Sequence, residues 1–147
     1  MKRLLLAILI AVSAAGCAQR NTYTTRDINE QLIMATLWMQ TSAEYRALCY
    51  QAFNIARYNL DNYLASAASS KKPAIIVDAD ETIIDNSAYQ AHLIGRDYGY
   101  SSKTWNAWMD AAKARAVPGA VEFLHYAQSK GVEVFYITNR KETGYTG

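Results

Sequence analysis

Residues 74–86 read Ala-Ile-Ile-Val-Asp-Ala-Asp-Glu-Thr-Ile-Ile-Asp-Asn. Ala74 to Val77 form a short apolar run of the kind that makes a buried parallel strand. Pro73 ends whatever precedes it, because its ring fixes φ and removes a backbone donor. The run stops at Asp78, with Asp80, Glu81 and Asp85 close behind. Carboxylates are costly to bury unpaired, yet they sit naturally in the crevice beyond the strand ends of an open α/β sheet, where such sheets bind ligands. The pattern points to a site at a strand end rather than to a plain turn.

Working outward, a second strand is expected over Val132 to Ile137, which are apolar and β-prone. It stops at Thr138-Asn139-Arg140. Between the two strands, Ser101 or Ser102 can cap a helix running through Trp105, Trp108, Met109 and Ala112. Pro118 suits the first turn of another helix containing Val121, Leu124 and Ala127, which Gly131 terminates. The order strand, helices, strand predicts a right-handed crossover in a parallel sheet. Residues 83–100 carry Tyr89, His92, Tyr98 and Tyr100 with Gly95 and Gly99 as breakers. They read as loop and short helix projecting over the strand end like a cap.

Upstream, Asn29 to Gln40 has helical periodicity through Leu32, Ile33, Thr36, Leu37 and Met39. Thr41-Ser42-Ala43-Glu44 matches a capping box that starts a second helix. Its stripe runs Tyr45, Leu48, Cys49, Ala52, Phe53, Ala56, Leu60, Tyr63 and Leu64. Ser66 to Lys72 reads as a polar linker. Met1-Lys2-Arg3 followed by Leu4 to Val12 has the charged and short apolar regions of a secretory leader over 1–16. That apolar run falls short of the roughly 20 residues a bilayer span needs. Small residues before Cys17 resemble a bacterial lipobox, which would make Cys17 a lipidation site and a membrane anchor. Ala14 stands where lipoboxes usually carry Leu, so ordinary cleavage nearby stays open. Residues 17–28 read as a tether and 29–147 as the domain.

Setting Lys2 and Arg3 aside leaves 13 basic residues against 13 acidic ones, and no basic stripe marks a nucleic-acid partner. With two cysteines in 147 residues, Cys17 and Cys49, a disulfide framework and a cysteine-based zinc site are both excluded. Cys49 lies on the apolar stripe as a small hydrophobe. Nothing in the residues fixes an oligomeric state.

Asp78 and Asp80 can point at one ligand if the chain bends after the strand, and such a pair needs a cation or a shared proton. Magnesium takes hard oxygen ligands and few carboxylates, usually beside phosphate. An Asp carboxylate can attack phosphorus to form an acyl phosphate. A neighbouring acid is then needed to protonate the leaving alcohol and later to deprotonate water. Thr82 offers a hydroxyl, and Thr138 and Asn139 could bind the same phosphoryl group.

Asp78-Ala79-Asp80-Glu81-Thr82 matches the D-x-D-x-T signature of haloacid-dehalogenase-superfamily phosphohydrolases, and Ile137-Thr138-Asn139-Arg140 resembles their second motif. More narrowly, the chain is similar to the class C acid phosphatases, outer-membrane lipoproteins with 5′-nucleotidase activity. Ser42-Ala43-Glu44-Tyr45, Asp85-Asn86-Ser87, Trp105 with Trp108, and Arg115-Ala116-Val117-Pro118-Gly119-Ala120 carry that likeness. The resemblance implies a partial haloacid-dehalogenase-like (Rossmannoid) α/β fold, with N-terminal helices and an aromatic-rich cap.

By motif, Asp78 would be nucleophile and magnesium ligand. Asp80 would be general acid and base, binding Mg2+ through its backbone carbonyl. Thr82 would support the loop and Thr138 would bind phosphoryl oxygens. Trp105 and Trp108 are candidates to hold the ring of a nucleotide or other phosphate monoester, with a core role equally open. Asp85 and Asn86 belong to the extended motif, while His92 and His125 match none.

The family pattern also includes a later lysine and an acidic pair, neither of which follows before Gly147, and Lys141 lies too close to the second strand. The expectation is therefore of an N-terminal part with a half-built site and little activity. A second reading is a non-catalytic surface lipoprotein binding nucleotide or haem-like ligands through the aromatic segment.

Overall fold

A computed structural model describes residues 22–66 and 72–140. The leader, Cys17, the start of the tether, most of the 66–72 linker and Lys141 lie outside the described residues. In chain order the elements are α1 (Thr25–Glu30), α2 (Ile33–Thr41), α3 (Ala43–Ser66), β1 (Ala74–Asp78) and β2 (Ile84–Asp85), then α4 (Ser87–Leu93), α5 (Ser102–Asp110), β3 (Arg115–Ala116), α6 (Ala120–Ser129) and β4 (Glu133–Ile137).

The two main strands fall where the apolar runs place them and pair in parallel, with Ala74 opposite Glu133 and Asp78 opposite Ile137. That register brings the residues following Asp78 and Ile137 to the same end of the sheet. The arrangement is a partial haloacid-dehalogenase-like α/β fold, with the long N-terminal helix α3 packed with α6 beside the sheet.

One face of the sheet carries the core. Leu60 of α3, Phe123 and Ala127 of α6 and Val132 are buried together, with Phe53, Leu64 and Ile75 packed against them. The Phe53 and Phe123 rings lie 5.7 Å apart. The Arg57 guanidinium sits 3.9 Å above the Tyr126 ring, whose hydroxyl donates to the Asp61 carboxylate. Apolar burial of this kind is the main favourable contribution to folding. β1 departs from the buried strand expected of its composition: Ile75 and Val77 face the helices, but Ile76 on the other side is 68% exposed. Side chains alternate across a strand, and the described helices cover one face.

Several helix boundaries also differ from expectation. The periodicity over 29–40 is split at Gln31 and Leu32, between α1 and α2. Residues 25–28, expected in the tether, are helical because Thr24 and Asp27 form a capping box: the Asp27 amide donates to Thr24 Oγ1 at 3.1 Å, and the Thr24 amide donates to Asp27 Oδ2 at 2.8 Å. The cap of α3 is Ser42, whose Oγ accepts from the amides of Glu44 and Tyr45 at 3.1 and 3.2 Å. Thr41 instead donates its hydroxyl to the Leu37 carbonyl at 2.7 Å and ends α2.

Leu48 and Tyr63, expected on the buried stripe of α3, are about half exposed, and Cys49 is partly buried. Pro118 precedes α6 rather than opening it. The cap of α6 is Gly119, at φ +87°, where an added Cβ would stand 3.1 Å from the rings of Phe53 and Tyr50. Gly131, at φ +72°, follows α6 as expected.

The cap segment is built on aromatic packing. Tyr89 of α4 is buried against Trp105 of α5 at 5.1 Å and lies 6.3 Å from Trp108. Ser101 caps α5 reciprocally with Thr104, and α4 leans on α2. A two-residue antiparallel ribbon, Ile84 opposite Ala116 and Asp85 opposite Arg115, ties the loop after β1 to the segment before α6. No helix among the described residues is long and apolar enough to cross a membrane.

Candidate active site

Asp78 is the last residue of β1, and the chain turns sharply after it. The amides of Ile83 and Ile84 both donate to the Ala79 carbonyl, at 3.0 and 2.9 Å, and the Glu81 amide donates to the Ile84 carbonyl at 2.8 Å. Glu81 takes the left-handed conformation, φ +55°, to make this turn, a region that non-glycine residues enter uncommonly. The loop thus closes on itself within a few residues, leaving Asp78 exposed and Asp80 turned inward. Thr82 Oγ1 stands 3.4 Å from Asp78 Oδ2, a long and weak hydrogen bond.

The Asp80 carboxylate is held by two neighbouring side chains. Arg140 Nε donates to both of its oxygens at 3.1 Å, and Arg140 Nη2 donates to Oδ1 at 2.6 Å. Asn86 Nδ2 donates to the same Oδ1 at 2.8 Å. Charge-assisted, forked contacts of this kind are the strong class of hydrogen bond. They hold the Asp80 carboxyl below the usual carboxylate range, with the Arg140 hydrogen bond the largest cause, burial opposing it, and Asn86 and Thr138 assisting. Glu81 next door moves the opposite way: burial pushes it up, and the charges of Asp80 and Asp85 add to that, while bonds from Asn86 oppose it.

At the end of β4, the Arg140 amide donates to Thr138 Oγ1 at 3.1 Å, which shapes the turn that delivers the guanidinium. Arg140 also lies 5.7 Å from the Trp105 ring centre. Trp108 donates its indole N–H to Asn86 Oδ1 at 2.9 Å. A cavity of about 260 Å³, bordered by Ile84, Trp108, Met109, Arg115 and Arg140, opens beside this cluster. A larger one of about 620 Å³, lined by Leu124, His125, Val134 and Tyr136, lies along the flank of β4 and contains none of the strand-end residues.

Of the residues predicted from sequence, Asp78, Asp80, Thr82 and Thr138 gather at one end of the β1–β4 pair, with Asn139 exposed beside them. Trp105 reaches the site against Arg140, and the indole N–H of Trp108 is already engaged by Asn86. Asp85 is drawn elsewhere: its Oδ1 accepts from the Ser87 amide at 2.8 Å and starts α4. His92 meets the Tyr98 hydroxyl at 3.2 Å.

Among the described residues no three His, Cys, Asp or Glu side chains converge as a metal cage would. The Asp78 carboxylate is a hard oxygen donor suited to magnesium, and so is the Asp80 backbone carbonyl. The Asp80 carboxylate itself is taken by Arg140. The residues present fit part of a magnesium site.

Sequence reasoning missed Arg140 as a site residue and undervalued Asn86. The signal was the acid cluster itself, which demands a cation; Arg140, two residues beyond Thr138, supplies one.

The family model described as HAD superfamily, subfamily IIIB (Acid phosphatase) matches residues 7–146. A crystal structure of Class C acid phosphatase from Bacillus anthracis with tungstate bound is 46% identical. It aligns over 79% of this chain and 48% of its own, with a TM-score of 0.74. A second structure of the Bacillus anthracis Class C acid phosphatase is 45% identical over the same shares, also with a TM-score of 0.74. The chain spans about half the length of these solved relatives.

Proposed function

The chain belongs to the subfamily IIIB acid phosphatases of the HAD superfamily, and from that premise we propose that it hydrolyses phosphate monoesters, nucleotides among them, through a phosphoaspartyl intermediate. The observation that carries this reading is the register. With Asp78 opposite Ile137, an exposed carboxylate, an inward acid at Asp80 and the Thr138 hydroxyl share one strand end.

The chemistry runs in two steps. A carboxylate oxygen of Asp78 attacks phosphorus while the bond to the ester oxygen breaks, and Asp80 protonates the departing alkoxide. Asp80 then takes a proton from water, whose oxygen attacks the acyl phosphate. Inorganic phosphate leaves and Asp78 is regenerated. The Arg140 contact favours ionised Asp80, the form that deprotonates water. The first step needs the protonated form and works against that contact. Thr138 would donate to a phosphoryl oxygen, and Trp105 would offer a face to the ring of a nucleotide. Enzymes of this superfamily generally use a divalent metal. A magnesium ion held by the Asp78 carboxylate and the Asp80 backbone carbonyl would supply positive charge against the phosphoryl oxygens.

The test is phosphate release from p-nitrophenyl phosphate and a nucleoside monophosphate by purified residues 18–147 with magnesium. We expect slow release that Asp78→Asn abolishes. Equal release by the wild-type chain and Asp78→Asn would sink the reading.

The leader and the small residues before Cys17 support a lipid anchor, and Ala18 after the cysteine favours the outer membrane. Labelled fatty acid should enter the full chain in cells and fail to enter Cys17→Ser; equal labelling of both removes the anchor.

A further inference from the structure

Asn86 is the largest fully buried side chain among the described residues, at 1% exposure. A polar group buried that deeply must be bonded or it destabilises the fold. Its bonds come from separate parts of the chain. Nδ2 donates to Asp80 Oδ1 at 2.8 Å in the loop after β1. Oδ1 accepts from Trp108 Nε1 at 2.9 Å on α5, and from Arg140 Nη2 at 3.4 Å after β4. Its backbone amide donates to Glu81 Oε1 at 3.3 Å.

The orientation of the amide is settled by these partners. Turning it over would set its NH2 against two donors and its oxygen against a carboxylate. Arg140 completes the clamp with a side chain only 11% exposed.

We propose that Asn86 and Arg140 are the positioning residues of Asp80, converging on its carboxylate and tying it through the Trp108 indole to helix α5 of the cap. The proposal rests on the reading of Asp80 as the general acid and base. Each partner limits a different freedom. The Arg140 fork fixes the carboxylate plane, and Asn86 fixes the oxygen that Arg140 Nη2 also holds. Trp108 sets Asn86, so the position of the cap helix is transmitted to the acid through two hydrogen bonds. Proton transfer depends steeply on such placement. Neither residue needs to touch substrate for this role.

Two substitutions separate positioning from folding. Asn86→Asp keeps the acceptor for Trp108 and Arg140 but sets a carboxylate oxygen against Asp80. Arg140→Lys keeps the charge but loses the fork.

The first measurement does not need turnover. In the full chain with magnesium, the Arg140 Nε–H and Trp108 indole N–H should exchange slowly with solvent in nitrogen–proton spectra. The arginine signal should be lost in Asp80→Ala, and the indole signal should be lost in Asn86→Ala but kept in Asn86→Asp. Fast exchange of both protons in the wild-type chain overturns the proposal.

The second is p-nitrophenyl phosphate hydrolysis. Asn86→Asp and Arg140→Gln should lower kcat by on the order of tenfold or more with KM within about threefold, and Arg140→Lys should recover part of the loss. Wild-type kcat in both variants, or a raised KM at unchanged kcat, overturns it. A chain without Asp78-dependent turnover sinks the phosphatase reading instead, and the exchange measurement alone then decides the positioning.

Discussion

The same two strands present two unlike surfaces. At their C-terminal ends, Asp80, Asn86, Trp108 and Arg140 bond one another, and no buried side-chain nitrogen or oxygen among the described residues is without a partner. On the face turned away from the helices, Ile76 lies opposite Phe135, with Ile137 two residues further along β4, and the three are 68, 51 and 60% exposed. The strand ends are fixed by directed bonds within a closed loop and two neighbouring segments. The open face makes few contacts that folding could draw on, because apolar side chains stabilise in proportion to the area they remove from water. Of these two surfaces, the polar cluster should therefore carry the larger share of stability.

The sharpest way to break that contrast is Asn86→Ala against Ile76→Thr. Removing Asn86 leaves the Trp108 indole without its acceptor and Asp80 without one of its donors, while opening a small cavity. We expect a loss of about 2–4 kcal/mol in urea unfolding. Ile76→Thr should stay within about 0.5 kcal/mol, as surface substitutions do. Equal costs at the two positions would show that the strand-end cluster has no special share in stability.

The same contrast explains what could be foreseen from residues. Both main strands and the acids at the end of β1 were legible, because Pro73 and Gly131 bracket apolar runs and carboxylates beyond a strand need a reason to be there. Asn86 and Arg140 were not. They lie 54 positions apart, and their meeting depends on the β1–β4 register and the turn at Thr138, which local patterns do not carry. The break at Gln31 was hidden because apolar periodicity runs straight through it. The start of α1 was masked by polar composition, although Thr24 and Asp27 form a capping box. The β2–β3 ribbon is two residues long on each side, too short for an alternation to register. The openness of Ile76 follows from what covers the sheet, which the apolar run by itself cannot reveal.

A smaller effect separates two neighbours inside the cluster. The Asp80 pKa is held below its ordinary value of 3.8, chiefly by Arg140. Its contribution is therefore present above that value and lost as pH falls through the lower folded one. Burial raises Glu81 above its ordinary 4.5, so its contribution is full below 4.5 and lost as pH rises through the folded value. Asp80→Asn should cost on the order of 1–2 kcal/mol at pH 7 and progressively less toward pH 3. Glu81→Gln should lose less at pH 7 than at pH 4, or stabilise. Unfolding curves across pH 3–7 check both; parallel profiles for the two variants would mean that Arg140 does not distinguish the adjacent acids.

The smallest expected change in stability lies back on the open face, at Phe135. Threonine is β-prone and fits a strand position facing water, so Phe135→Thr should leave the unfolding midpoint nearly unchanged, within about 0.5 kcal/mol. Its effect should appear in association instead. Ile76, Phe135 and Ile137 form an apolar patch, and among the described residues β1 and β4 pair only with each other; such surfaces template contact between chains. Light scattering of the purified chain across a concentration series should therefore fall in Phe135→Thr relative to wild type. Asn86→Asp, at a buried position outside the patch, should leave the association of the folded chain as it was. If Phe135→Thr instead destabilises the fold while scattering stays the same, the ring is packed in solution, and the open face contributes to folding as the strand end does.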